Sequence, residues 1–144
     1  MAADACAPAL KNQAGSLGSS VWAYGGGVYN NAFSTMTLSN CTVTGNSLST
    51  QGYSYGGGVY NNGTMTLSGC TVTGNSAGPA GTSFFEGGGI GNDNQGQLTI
   101  LSSVVTGNTA STGYNIANVG WISISPDSTV GQDPTGTGGK KNKK

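Results

Sequence analysis

The side chains that could do acid–base chemistry in this chain are few and scattered. The acids are Asp4, Glu86, Asp93, Asp127 and Asp133, and the only basic residues are five lysines. Glycoside hydrolysis needs two carboxyl groups a few ångströms apart, and other polysaccharide-cleaving chemistry needs a basic side chain with calcium-binding acids. Neither arrangement is visible in this spacing. The sequence therefore predicts that the protein is not an enzyme.

The three cysteines could do thiol or metal chemistry. With no histidine and no CxxC pair, Cys6, Cys41 and Cys70 do not form a metal motif, so we expect no metal and no cofactor. Cys41 and Cys70 both lie two residues before a valine in equivalent contexts, which predicts a column of buried thiols. A Cys41–Cys70 disulfide is the alternative, and the odd count leaves at least one thiol free or intermolecular.

An internal repeat carries these residues. The string GGGVYNN occupies positions 25–31 and returns at 56–62, and a weaker copy opens with GGGI at 87–90, a constant step of 31 residues. A fixed period of this length is typical of a solenoid. Fainter copies flank the clear ones, at residues 9–12 upstream and 114–133 downstream.

Apolar and polar residues alternate within each copy, as they do in β-strands. Inward positions are expected at Val28, then Met36 and Leu38, then Val43, and again one period later. We therefore predict an all-β, right-handed parallel β-helix of about four three-stranded rungs plus a leading part-rung. Its domain spans residues 9–133, between an N-terminal segment, 1–8, and a flexible Gly/Lys-rich tail, 134–144.

The corners of this helix are predicted from glycine and asparagine. The triple glycine indicates positive φ angles and close backbone approach at one corner. At another corner, amide side chains in register are expected to bond to one another and to unpaired backbone groups. This structural ladder is predicted to comprise Asn46, Asn75, Asn108 and Asp133.

The paired motifs GGxV/I and VxxN resemble the GGAI and FxxN repeats of chlamydial polymorphic outer-membrane proteins. They are also similar to repeats in the passenger domains of bacterial autotransporters. Valine stands here where that family has phenylalanine, at positions 43, 72, 105 and 130. The resemblance implies an exported β-helix that displays a surface for adhesion or assembly. We therefore expect an extracellular or bacterial cell-surface location, although residues 1–13 contain no visible signal peptide.

Outward threonines form columns that offer a second function. A regular lattice of hydroxyl and methyl groups resembles the Thr-x-Thr faces of ice-binding solenoids, while outward threonine is also what strand propensity favours on any sheet. The candidate binding face consists of Thr35, Thr37, Thr64, Thr66, Thr99, Thr71 and Thr73.

Aromatic residues offer further contacts. Tyr29 and Tyr60 are expected to stack outward, where they could hold sugar rings or contact another subunit. The predicted loops at 48–55 and 77–86 carry more aromatic residues, among them Phe84 and Phe85, and we expect a contact patch there.

The partner we favour is a second copy of the chain. Neither end of the predicted helix carries an amphipathic cap, and open strand edges recruit other chains.

The formal net charge is zero, and four of the five lysines lie in the last five positions, which is too little positive charge for nucleic-acid binding. No apolar run is long enough to insert in a membrane. The main hypothesis is a structural subunit that forms filaments or adheres, with surface glycans or ice as alternative ligands.

Overall fold

A computed structural model describes residues 13–16, 22–50, 52–78, 85–111 and 113–132 of the chain. These residues form 18 strands and no helix, and the strands stack in parallel into a β-solenoid of about three turns. The predicted all-β parallel solenoid is thereby confirmed, with about three turns in place of the predicted four rungs. The proposed segment 1–8 and tail 134–144 lie outside the described residues, as do Asp133 and Phe84.

The strands form five sheets, which the chain visits in the same order in each turn. Sheet I comprises β1 (Gln13–Ser16), β6 (Ser47–Thr50) and β11 (Ser76–Ala77). Sheet II comprises β2 (Trp22–Tyr24), β7 (Tyr53–Tyr55) and β12 (Phe85–Glu86). Sheet III comprises β3 (Val28–Asn30), β8 (Val59–Asn61), β13 (Ile90–Asn92) and β16 (Ile116–Asn118). Sheet IV comprises β4 (Thr35–Ser39), β9 (Thr64–Ser68), β14 (Gln97–Leu101) and β17 (Trp121–Ile124). Sheet V comprises β5 (Thr42–Thr44), β10 (Thr71–Thr73), β15 (Val104–Thr106) and β18 (Thr129–Val130).

Five strands in each of the first three turns correct the expected three, which only the last turn has. The segment 48–55, predicted as a loop, mostly belongs to β6 and β7, and Phe85 lies in β12. These short strands have their own inward positions, because Leu48 is 1% exposed and Ser54 is fully buried. Pairing with the turns above and below satisfies the backbone groups that a loop in this position would leave unbonded.

The core consists of aliphatic columns that run through the turns in strict register. Val28, Val59, Ile90 and Ile116 are mutual partners in sheet III. Sheets IV and V add the other predicted inward residues, which are buried in the middle turns. Those columns contain Met36, Met65, Leu98 and Ile122, then Leu38, Leu67, Ile100 and Ile124, then Val43, Val72, Val105 and Val130.

Two structural requirements explain the triple glycine. Its first member needs a left-handed backbone, as at Gly56 with φ of 68°. Its second member lies where turns approach most closely, since a Cβ on Gly57 would lie 2.3 Å from the carbonyl oxygen of Ser76 and 2.5 Å from that of Gly88. The predicted roles of the triple glycine are therefore confirmed.

Candidate functional site

The asparagine ladder lies at the corner between sheets V and I. The side-chain nitrogen of Asn46 donates to Oδ1 of Asn75 at 2.9 Å, and Asn75 donates to Asn108 in the same way at 2.9 Å. Both amides also bond backbone, for example from Asn75 Nδ2 to the carbonyl of Val43 at 2.9 Å. The three predicted asparagines thus form a buried hydrogen-bonded column.

The fourth ladder position differs from the prediction. Asn108 donates to Oδ1 of Asn115 at 3.1 Å, and Asn115 then donates to the carbonyl of Gly131. The change follows from a shorter last turn, because Asn92 meets Asn118 after 26 residues whereas earlier equivalent residues are 31 apart. The predicted last member, Asp133, lies outside the described residues.

A second ladder, which the sequence analysis missed, lies at the end of sheet III. Its amides donate in one direction, with nitrogen–oxygen distances of 2.8, 2.8 and 2.6 Å. The signal was present in the sequence, because the first asparagine of each YNN motif recurs with the same period. This ladder comprises Asn30, Asn61, Asn92 and Asn118.

The predicted sulfur column is buried but contains no Cys41–Cys70 bond. Cys41 and Cys70 are 2% and 1% exposed, and Ser103 continues their column. Cys70 is a free thiol that donates to the carbonyl of Leu38 at 3.2 Å. Cys41 is disulfide-bonded to a partner outside the described residues. The alternative of a bond between the two stacked cysteines is therefore wrong.

The predicted threonine face is present and divided between two sheets. On sheet IV, Thr35 pairs with Thr64, and Thr37 pairs with Thr66, which pairs with Thr99. On sheet V, Thr71 and Thr73 extend the columns of β5. All seven predicted residues are exposed or half-buried. Gln97 and Val104 interrupt the lattice in the third turn.

Six aromatic side chains from sheets II and III form one continuous surface, called here the aromatic surface. Tyr24 stacks on Tyr55 with ring centroids 5.4 Å apart, and Tyr29 stacks on Tyr60 at 5.3 Å. The two predicted tyrosines differ in exposure, since Tyr29 is 48% exposed and Tyr60 only 4%. The members of the surface are Trp22, Tyr24, Tyr29, Tyr53, Tyr55 and Tyr60.

Tyr60 is buried because its hydroxyl group reaches Asp93. The phenol donates to Oδ2 of Asp93 at 2.5 Å. Burial first, and then this hydrogen bond to a carboxylate, raise the pKa of Tyr60 well above its usual value. Tyr60 is therefore a structural contact of the third turn, and Tyr29 is the member of the pair that faces solvent.

The carboxylates in the described residues belong to separate networks. Asp93 accepts the Tyr60 hydroxyl, whereas Asp127 accepts the hydroxyl groups of Ser102 and Ser125. The Ser102 bond, followed by the Ser125 bond, lowers the pKa of Asp127. Among the described residues, no group of three or more metal-ligating side chains lies together. The described part of the chain also holds no helix that could cross a membrane.

Comparisons with known proteins give the chain no relatives. No protein-family model matches it, and no curated protein or solved structure is significantly similar. The function of the chain is therefore inferred from its own surfaces.

Proposed function

We propose that this chain is a non-catalytic structural subunit of a cell exterior that assembles end to end through its terminal turns. The observation that carries the proposal is the state of the two ends of the solenoid. There the aliphatic columns and strand edges stop without a covering element in the described residues.

The end of the solenoid formed by the first turn is called here the lower end, and there β2 to β5 have described partners on one side only. In this first turn, Met36 is partly buried and Val28 and Leu38 are 8% and 5% exposed, whereas Val43 is fully buried. At the opposite, upper end, which the last turn forms, Ile124 and Val130 are only partly buried in the same columns. Strand edges without described partners, next to partly buried aliphatic side chains such as Met36, Ile124 and Val130, are features that can recruit another chain.

The last and first described strands also occupy successive positions within a turn. β18 belongs to sheet V, and β1, the first described strand, belongs to sheet I, which the chain enters directly after sheet V at β6 and again at β11. A second copy placed on β18 would therefore continue both winding and columns. Such a contact is head-to-tail and does not close, so repetition produces a filament.

The location and the repeat family are parts of the same proposal. The GGxV/I and VxxN motifs support a relation to chlamydial polymorphic outer-membrane and autotransporter-passenger repeats, and hence a bacterial surface or extracellular location. In that setting the filament would serve as a fibre or an adhesive scaffold.

Wild-type protein is expected to form filaments or concentration-dependent oligomers, and Met36→Lys is expected to abolish them. Met36 lies at the lower end of its column and is only partly buried. A lysine there places a charge in the proposed contact, where its desolvation opposes association. Negative-stain microscopy and sedimentation velocity measure the outcome.

Met36→Leu is the matched control, because it conserves the apolar character of the contact and should assemble like wild type. Far-UV circular dichroism of Met36→Lys must match that of wild type for the comparison to hold. A wild-type protein that stays monomeric up to its solubility limit contradicts the proposal, as does a folded Met36→Lys that still assembles.

The threonine lattice supports ice binding as a second candidate. Its columns repeat about every 7 Å along the strand and about every 4.8 Å across turns. On this proposal, wild-type protein shapes ice crystals and Thr66→Tyr, in the middle of the lattice, does not, as seen in a thermal-hysteresis assay. Asn31→Tyr, at an exposed turn outside the lattice, is the control. Equal activity of the two variants, or none in wild type, eliminates this candidate.

A further inference from the structure

A cleft opens where the third and fourth turns differ in the length of one corner. Residues 93–96 connect β13 to β14, whereas only residues 119 and 120 connect β16 to β17. The longer corner extends past the shorter one and leaves a space of about 480 Å³ beside Trp121. The cleft is lined by Asn94, Gln95, Gly96, Gln97 and Trp121.

The lining combines one aromatic ring with three amides. The indole of Trp121 is 45% exposed, and Gln97 is its register partner in sheet IV. Within the described part of the chain, the amide groups of Asn94, Gln95 and Gln97 have no hydrogen-bond partner, so their donors and acceptors are available to a ligand.

Among the described residues, no charged side chain lines the cleft. The nearest carboxylate in sequence, Asp93, is engaged elsewhere, because Oδ2 accepts the Tyr60 hydroxyl and Oδ1 accepts the backbone N–H of Asn94. The described lining therefore offers no cation for phosphate or sulfate groups, and its chemistry suits an uncharged ligand rich in hydroxyl groups.

We infer that this cleft is a binding site for a neutral saccharide chain. One face of a pyranose ring stacks on the Trp121 indole, and the amides of Asn94, Gln95 and Gln97 exchange hydrogen bonds with its hydroxyl groups. This inference does not rest on the proposed self-assembly, since it uses a lateral surface of the solenoid rather than its ends.

The aromatic surface is the less suitable place for a sugar, although it contains more rings. Tyr29 and Tyr60 lie nearly parallel, at 12°, and Tyr24 and Tyr55 at 15°, so each pair covers ring faces that a sugar would need. Trp121 makes no ring contact with any other described residue. This difference moves the predicted sugar site from the Tyr29–Tyr60 pair to the cleft.

The test is a titration of the full chain carrying Trp22→Phe, so that Trp121 is the only tryptophan. Cellohexaose, chitohexaose and mannohexaose are the neutral probes, and a sulfated hexasaccharide of the heparin type is the charged probe. We expect at least one neutral probe to shift the Trp121 fluorescence saturably and the charged probe to have no effect. Binding of the charged probe alone, or of no probe, overturns the inference.

Variants then assign the binding to the cleft. With the binding probe followed by calorimetry, Trp121→Ala should lower affinity at least about tenfold and Gln97→Ala about threefold. Trp22→Ala removes a tryptophan of similar exposure from the aromatic surface and should leave affinity unchanged. If Trp121→Ala keeps the wild-type circular dichroism spectrum and binds as tightly as wild type, the cleft is not the site.

Discussion

The substitution Asn75→Ala is expected to lower the free energy of unfolding by about 3–5 kcal/mol, more than any other single side-chain truncation in the described chain. Asn75 is 1% exposed and lies in the middle of its ladder. Its Oδ1 accepts from both the backbone and the side-chain nitrogen of Asn46, and its Nδ2 donates to Val43, Thr73 and Asn108. Alanine leaves these buried groups without partners, and no water can reach them without opening the corner.

Urea denaturation followed by far-UV circular dichroism measures this loss. Asn94→Ala is the matched control, since Asn94 is exposed and its side chain has no partner in the described residues. It should change stability by no more than about 0.5 kcal/mol. Equal stability of the two variants would mean that the ladder contributes nothing net, and the account of the corner would be wrong.

Gly57→Ala is expected to destabilise the protein by at least about 3 kcal/mol or to prevent folding. The atoms that a methyl group would meet are carbonyl groups of two neighbouring segments, at 2.3 and 2.5 Å. Backbone atoms held in register by the ladder hydrogen bonds cannot move aside as a flexible side chain would. The turns would have to separate at this corner, and the aliphatic columns would lose contact with one another.

Gly45→Ala separates this packing effect from backbone strain. Gly45 has a φ of 65°, but no atom lies within 4 Å of its added Cβ. Its replacement should cost only the left-handed backbone penalty, about 1–2 kcal/mol. The midpoint temperature of thermal unfolding, followed by circular dichroism, should be well below that of Gly45→Ala in the Gly57→Ala variant. The reverse order would show that backbone strain at Gly45 costs more than close approach at Gly57.

The repeat period explains which parts of the fold the sequence could predict. A step of about one repeat, here 29 residues, places Asn46 near Asn75, and Val43 near Val72, whatever the details of the turn between them. Alternation then decides which of these side chains point inward. The columns, the ladder and the glycine corner follow from these two facts, and all three are present in the structure.

Features that depend on unequal turns could not be predicted in this way. Asn115 enters the ladder because the last turn is shorter, which breaks the period. Tyr29 and Tyr60 share one motif, yet only Tyr60 is buried, because the aspartate of the next turn binds its hydroxyl. The segments of the extra strands β6 and β7 have no strong aliphatic pattern, which is why the sequence predicts a loop there. The cleft beside Trp121 arises from a difference in corner length, which no single copy of the repeat reveals.

The two asparagine ladders have a consequence for the electrostatics of the whole solenoid. In both, each amide nitrogen donates to the amide oxygen of the next ladder member, from Asn30 toward Asn118 and from Asn46 toward Asn115. The amide dipoles within each ladder are therefore aligned, and those of the two ladders add. The lower end of the solenoid acquires partial negative charge and the upper end partial positive charge. In the proposed filament, two copies that meet head-to-tail would bring opposite partial charges together and a head-to-head pair would bring like charges together, so assembly in a single polarity would be favoured.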